Sequence, residues 1–195
     1  MSLSLKKGQK LNLSKEHPNL ENILIGLGWQ TNNYDGSADF DLDASAFLLD
    51  VNNKAKEKDF IFYGNLKHAS GSVIHSGDNL VGGSGMSDDE QIRVSLSKLP
   101  AGVEKVAITV TIYEAKKRKQ SFGMVNNAFI RIVDANTDKE ILRYDLTDDY
   151  SVETAMVIAE LYKKGGDWRF SAVGSGYHGG LQALCSSYGL DVDGE

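Results

Sequence analysis

Residues Lys105–Tyr113 read KVAITVTIY, an almost unbroken run of apolar and β-branched side chains. β-Branched residues lose side-chain freedom in a helix and pack well on a pleated surface. A run without polar alternation predicts a strand covered on both faces, in the centre of a sheet. Shorter runs of the same kind recur between Gly, Asn, Asp and Ser clusters: Ile23–Gly28, Phe40–Leu49, Phe60–Tyr63, Ile92–Leu96, Phe129–Val133 and Ile141–Leu146. With 20 glycines and only 2 prolines, this punctuation is that of an all-β chain. Thr154–Tyr162 has helical propensity, but the KKGGD turn at 163–167 and the strand-like Trp168–Val173 predict a β-hairpin instead. Leu181–Tyr188, after Gly179–Gly180, reads as a short helix, and Glu114–Gln120 as a further helical turn. The expected fold is all-β: one domain over residues 1–195, a two-sheet β-sandwich with a few short helices.

Hydrophobic residues are 41% of the 195 and charged residues 25%, enough to bury a core. The net charge of −6 argues against a nucleic-acid binder, whose phosphate contacts need clustered bases. No stretch approaches the roughly 18 apolar residues of a membrane-spanning helix, and the N-terminal residues lack the apolar core of a secretory signal. The single cysteine, Cys185, cannot form an internal disulfide, so a reducing, cytoplasmic setting is expected.

The acid is concentrated. Asp35, Asp39, Asp41, Asp43 and Asp50 fall in residues 35–50, and Asp78, Asp88, Asp89 and Glu90 in residues 70–92, with no Lys or Arg in either window. These nine carboxylates exceed the net excess of six, so the rest of the chain is slightly basic. Carboxylates grouped without bases repel one another unless water or a cation intervenes. In a strand, alternation sends Phe40, Leu42, Ala44, Ala46 and Leu48 to the core and Asp39, Asp41 and Asp43 to the opposite face. The second window, GDNLVGGSGMSDDE at 77–90, supplies hard oxygen donors on a glycine-rich loop. Oxygen donors without Cys or His suit Ca²⁺ or Mg²⁺, and a flexible loop suits the irregular coordination of Ca²⁺ better. An EF-hand is excluded, because its sixth position, which needs glycine, is Ala44.

Other motifs carry less. Gly174–Gly179 matches G-x-G-x-x-G, but too little chain follows for a dinucleotide fold. His17, His68, His75 and His178 lack zinc spacing. No G-x-S-x-G elbow frames a serine, and adjacency of His75, Ser76 and Asp78 does not make a triad. The basic run Lys116–Lys119 is a solvated face or a contact for anionic lipid or an acidic partner.

Several segments together resemble the TerD family of bacterial tellurium-resistance and general stress proteins. They are Gly26–Trp29, Asp39–Phe47, Phe60–Tyr63, Ser76–Asn79, Asp88–Glu90, Gln120–Val125, Phe129–Val133, Arg143–Leu146, Glu153–Ala155, Glu160–Tyr162 and Gly174–Leu181. The resemblance covers nearly the whole chain, in order, and departs from the family loop at Val81 and Ser87 and by one extra residue. It implies a Ca²⁺-binding sandwich with two ions at one end, held by Asp39, Asp41, Asp43, Asp78, Asn79, Asp88, Asp89 and Glu90. It further implies no catalysis and a cytoplasmic stress role. Expected partners are other tellurium-resistance proteins, including a membrane-bound one, with peripheral contact at the inner face of the membrane. The alternatives are a Ca²⁺-dependent membrane-docking module and, behind it, a metal-dependent hydrolase.

Overall fold

A computed structural model describes residues 2–31, 41–77, 88–146 and 150–191. Twelve strands and three short helices are described: β1 (Leu3–Leu5), β2 (Lys10–Asn12), α1 (Leu13–Glu16), β3 (Asn22–Thr31), β4 (Leu42–Leu49), β5 (Phe60–Ile61), β6 (Val73–His75), β7 (Glu90–Ser95), β8 (Lys105–Ile112), α2 (Ala115–Arg118), β9 (Val125–Asp134), β10 (Lys139–Asp145), β11 (Ala155–Lys164), β12 (Asp167–Tyr177) and α3 (Gly180–Ser187). They form two six-stranded sheets, ordered β1-β10-β9-β3-β7-β6 and β2-β12-β11-β8-β4-β5. The inner faces meet as a β-sandwich, as the run pattern predicts.

The central position of β8 has a visible cause. It pairs with β11 on one side and β4 on the other. Val106, Ile108, Val110 and Ile112 enter the core between the sheets. Ala107 faces outward into a second apolar cluster with Phe47, Leu49, Phe60, Val157, Leu184, Cys185 and Tyr188. That cluster lies under α3, which caps the outer face of the second sheet. Neither face of β8 therefore meets water along most of its length, which explains why the segment reads as continuous rather than alternating.

β4 shows the same two-sidedness. Leu42, Ala44, Ala46 and Leu48 point into the core, as alternation requires. The opposite face is covered by α3 at Phe47 and Leu49 and tied at Ser45, whose hydroxyl lies 2.7 Å from that of Thr109. The ambiguous segment is a strand: β11 and β12 form a hairpin closed by Gly165 and Gly166, both at positive φ (62° and 84°). Two successive left-handed residues give the turn whose twist matches the strands, and glycine adopts it without strain.

Three strands escape the sequence reading. β1 pairs parallel to β10 at the edge of the first sheet, and β2 pairs with β12 at the edge of the second. The N-terminal stretch thus closes one side of the sandwich. β6 does the same for one edge of the first sheet, next to β7. Each is three residues long, too short for alternation to register.

Candidate metal centre

The ends of β3 and β6, the starts of β4, β7, β9 and β11, and the ends of β8 and β12 lie together at one end of the sandwich. The described residues that flank segments 32–40 and 78–87 are at this end. Of the candidate ligands, Asp39, Asp78 and Asn79 lie outside the described residues, as do Val81 and Ser87. Asp41, Asp43, Asp88, Asp89 and Glu90 are described.

Asp41 precedes β4. Its carbonyl accepts the Tyr113 amide at 2.9 Å, and its carboxylate lies 3.9 Å from the Arg118 guanidinium of α2. Asp43, buried in β4, acts electrostatically on His75 across the sheets. Glu90 opens β7 and turns inward. Its Oε2 accepts the Ala44 amide of β4 at 2.6 Å, so one carboxylate from the first sheet bonds backbone of the second. Asp89 bonds at both ends: its amide donates to the Leu27 carbonyl at 2.7 Å, and its Oδ2 accepts the Trp29 amide at 2.8 Å.

Asp88 goes elsewhere. It lies over Gly26 of β3, on the outer face of the first sheet, with its side chain 2% exposed. Arg131 of β9 donates from Nε (2.7 Å) and Nη2 (3.0 Å) to its two oxygens, and Gln91 donates to Oδ2 at 3.0 Å. Glu90 thus turns between the sheets, Asp89 follows the end of β3, Asp43 takes the outward-facing register of β4, and Asp88 lies on the outer face of the first sheet.

His75 completes the inner layer. Its Nδ1 accepts the Gly77 amide at 3.0 Å, which leaves the proton on Nε2, 3.0 Å from the Ala44 carbonyl and 3.5 Å from Glu90. Burial pushes this imidazole towards its neutral form, but the adjacent Glu90 outweighs it and raises the pKa above that of an ordinary histidine. Sequence spacing gave no sign of His75, because its contacts are with backbone brought in by folding.

The chemistry of this donor set can be tested against a cation. The acids are hard oxygen donors, and the neighbouring imidazole has both nitrogens committed. Cys185 lies on the buried face of α3 with its thiol pushed up to about 11 by burial, so it is no soft ligand at neutral pH. The residues fit an oxygen-seeking cation such as Ca²⁺ and not a soft one. Among the described residues, no three Asp, Glu, His or Cys side chains converge as a closed metal set.

A second polar network lies at the β5–β6 edge. His68 bonds Asp59 through Nε2 (3.0 Å) and Ser70 Oγ through Nδ1 (2.8 Å). The order Asp–His–Ser is that of a nucleophile triad, but the amides around Ser70 are spent. Ser70 N–H donates to His68 Nδ1, Gly71 N–H to the His68 carbonyl, and Ser72 N–H to Ser70 Oγ. None of these three is available to hold an oxyanion. The network ties a turn together.

A family model described as the TerD domain matches residues 1–188. General stress protein 16U of Bacillus subtilis is 53% identical over 193 residues, covering 98% of this chain and 100% of that protein. Tellurium resistance protein TerD of Alcaligenes sp. is 52% identical with the same coverage. Among solved structures, a homologue of telluride resistance protein (TerD) from Streptomyces coelicolor superposes with a TM-score of 0.69 at 18% identity. It covers 86% of this chain and 96% of that one, a likeness of fold. A domain match across almost the whole length, joined to relatives above 50% identity over their full length, makes this chain a member of the TerD family.

Proposed function

We propose that this chain is a stress-response protein of the tellurium-resistance type, working in the cytoplasm as a Ca²⁺-dependent interaction module and not as an enzyme. The observation that carries the reading is Glu90, whose carboxylate crosses from the first sheet to the Ala44 amide of the second, next in sequence to Asp43. Asp39, Asp41, Asp78 and Asn79 would complete the ligand set from the neighbouring segments. The names of the relatives support the biological setting.

The role of the residues is electrostatic. The carboxylates of the two acidic segments repel one another at neutral pH. A bound divalent cation would neutralise that charge. Glu90 and Asp89, anchored to backbone of β3 and β4, would hold the two segments in one arrangement. The ordered end then offers a surface to other tellurium-resistance proteins, a membrane-bound one included. Among the described residues no helix is long and apolar enough to cross a membrane.

The test is calorimetric titration of the chelator-stripped chain with Ca²⁺, then with Mg²⁺, followed by melting curves. At 100 times Kd, binding adds about 2.7 kcal/mol, which for a chain of this size raises Tm by roughly 5–10 °C. Glu90→Gln keeps an acceptor for the Ala44 amide but loses the charge, and affinity should fall about tenfold or more. Absence of binding heat together with an unmoved Tm would overturn the reading.

A further inference from the structure

Three consecutive acids, Asp88, Asp89 and Glu90, take three directions. Asp88 points to the outer face of the first sheet, Asp89 runs along its end to Trp29, and Glu90 passes inward to β4. We infer that Arg131 and Gly26 are positioning residues for the cation end, and that Asp88 is the counter-ion of Arg131 instead of a metal ligand. The inference rests on the Ca²⁺ reading above.

The geometry is that of a clamp. Arg131 sits directly opposite Gly26 in the β3–β9 pairing, so both occupy the same outer face. Its guanidinium takes both Asp88 oxygens in a forked, charge-assisted pair, and Nη1 reaches Glu140 of β10 at 3.3 Å. The row Glu140–Arg131–Asp88 therefore runs from β10 across β9 to the edge of Gly26 in β3, and ends two residues before β7 starts. Gly26 makes the close approach possible: a Cβ on residue 26 would overlap the Asp88 carboxyl group. With Asp88 fixed, the next amide is held by Leu27, and the directions of Asp89 and Glu90 follow.

Two chemical consequences separate this from a ligand role. A carboxylate whose two oxygens already accept three N–H donors, two of them from a cation, offers little to a metal. An arginine beside a metal ligand would oppose cation binding, whereas an arginine that orients the ligands through their backbone favours it. The two roles thus predict opposite signs for removing Arg131.

The experiment is Ca²⁺ titration of the full chain, stripped with chelator, in wild type, Arg131→Gln, Asp88→Asn, the double variant and Arg131→Lys. Melting in chelator runs alongside each and reports the purely structural share. Partners that orient metal ligands typically matter by about 10–100-fold in affinity. Arg131→Gln should therefore weaken Ca²⁺ binding about tenfold with the number of ions unchanged. Asp88→Asn should keep every ion. The double variant, with an amide–amide pair in place of the ion pair, should regain part of the loss. Should Arg131→Gln fail to fold, Arg131→Lys and Gly26→Ala carry the same test, and both should weaken binding. Tighter or equal binding in the Arg131 variants, or loss of a whole ion in Asp88→Asn, would overturn the inference while leaving the Ca²⁺ reading intact. No binding by wild type would overturn both.

Discussion

His75 shows how much one side chain can be constrained when folding supplies its partners. In the neutral ring one nitrogen accepts the Gly77 amide, a bond that protonation gives up, and the other lies between a carbonyl and a carboxylate. Burial works against its charge and Glu90 works for it, with Glu90 prevailing. The folded state therefore holds a proton more tightly than the unfolded chain, whose histidine titrates near 6.5. The stabilisation is complete below that value and is lost as pH rises through the raised one. Urea melts of wild type and His75→Gln should differ most in mild acid and converge in part towards pH 8. A difference that grew with pH would contradict the assignment. None of this was legible from the sequence, where His75 showed no useful spacing. Asp88 was equally opaque: adjacency groups it with Asp89 and Glu90, and its partner Arg131 stands 43 residues away.

At the scale of elements, legibility followed length and pattern. KVAITVTIY, the Gly165–Gly166 hairpin and the helix after Gly180 each carry a complete local signal, and each is found as read. The edge strands β1, β2 and β6 carry none, because three residues exist as strands only through the neighbour they pair with. The acidic alternation at β4 located the inward face correctly. What it could not show is that the outward face continues beneath α3 instead of into water. That makes α3 part of the core. Leu184, fully buried against Phe47 and Leu49, is its anchor. Leu184→Ala should cost about 2–5 kcal/mol, a loss read as a lower urea midpoint with an unchanged slope. A cost under 1 kcal/mol would mean that α3 merely rests on the sheet.

For the whole molecule, the division of labour is spatial. One end holds Asp41, Asp43, Asp88, Asp89 and Glu90. The N-terminal stretch seals one side, the β5–β6 turn network the other, and α3 one broad face. The sandwich was foreseeable because sheets with apolar inner faces have few ways to pack. An end site for the acids was expected only through the family resemblance, since spacing alone does not give the order of strands in two sheets.

That β8 is paired on both edges and covered on both faces also has a consequence in time. Its amides have no local route to solvent, so residues 106–111 should exchange hydrogen for deuterium only when the entire domain opens. Their exchange rate is then a clock for global stability, set in a strand closed on both edges and both faces. A ligand that binds only the folded end must slow that clock even though it touches none of those amides. At 100 times Kd the slowing should be about 100-fold. Slowing confined to the flanks of the acidic segments would show instead that the end of the sandwich opens and closes on its own.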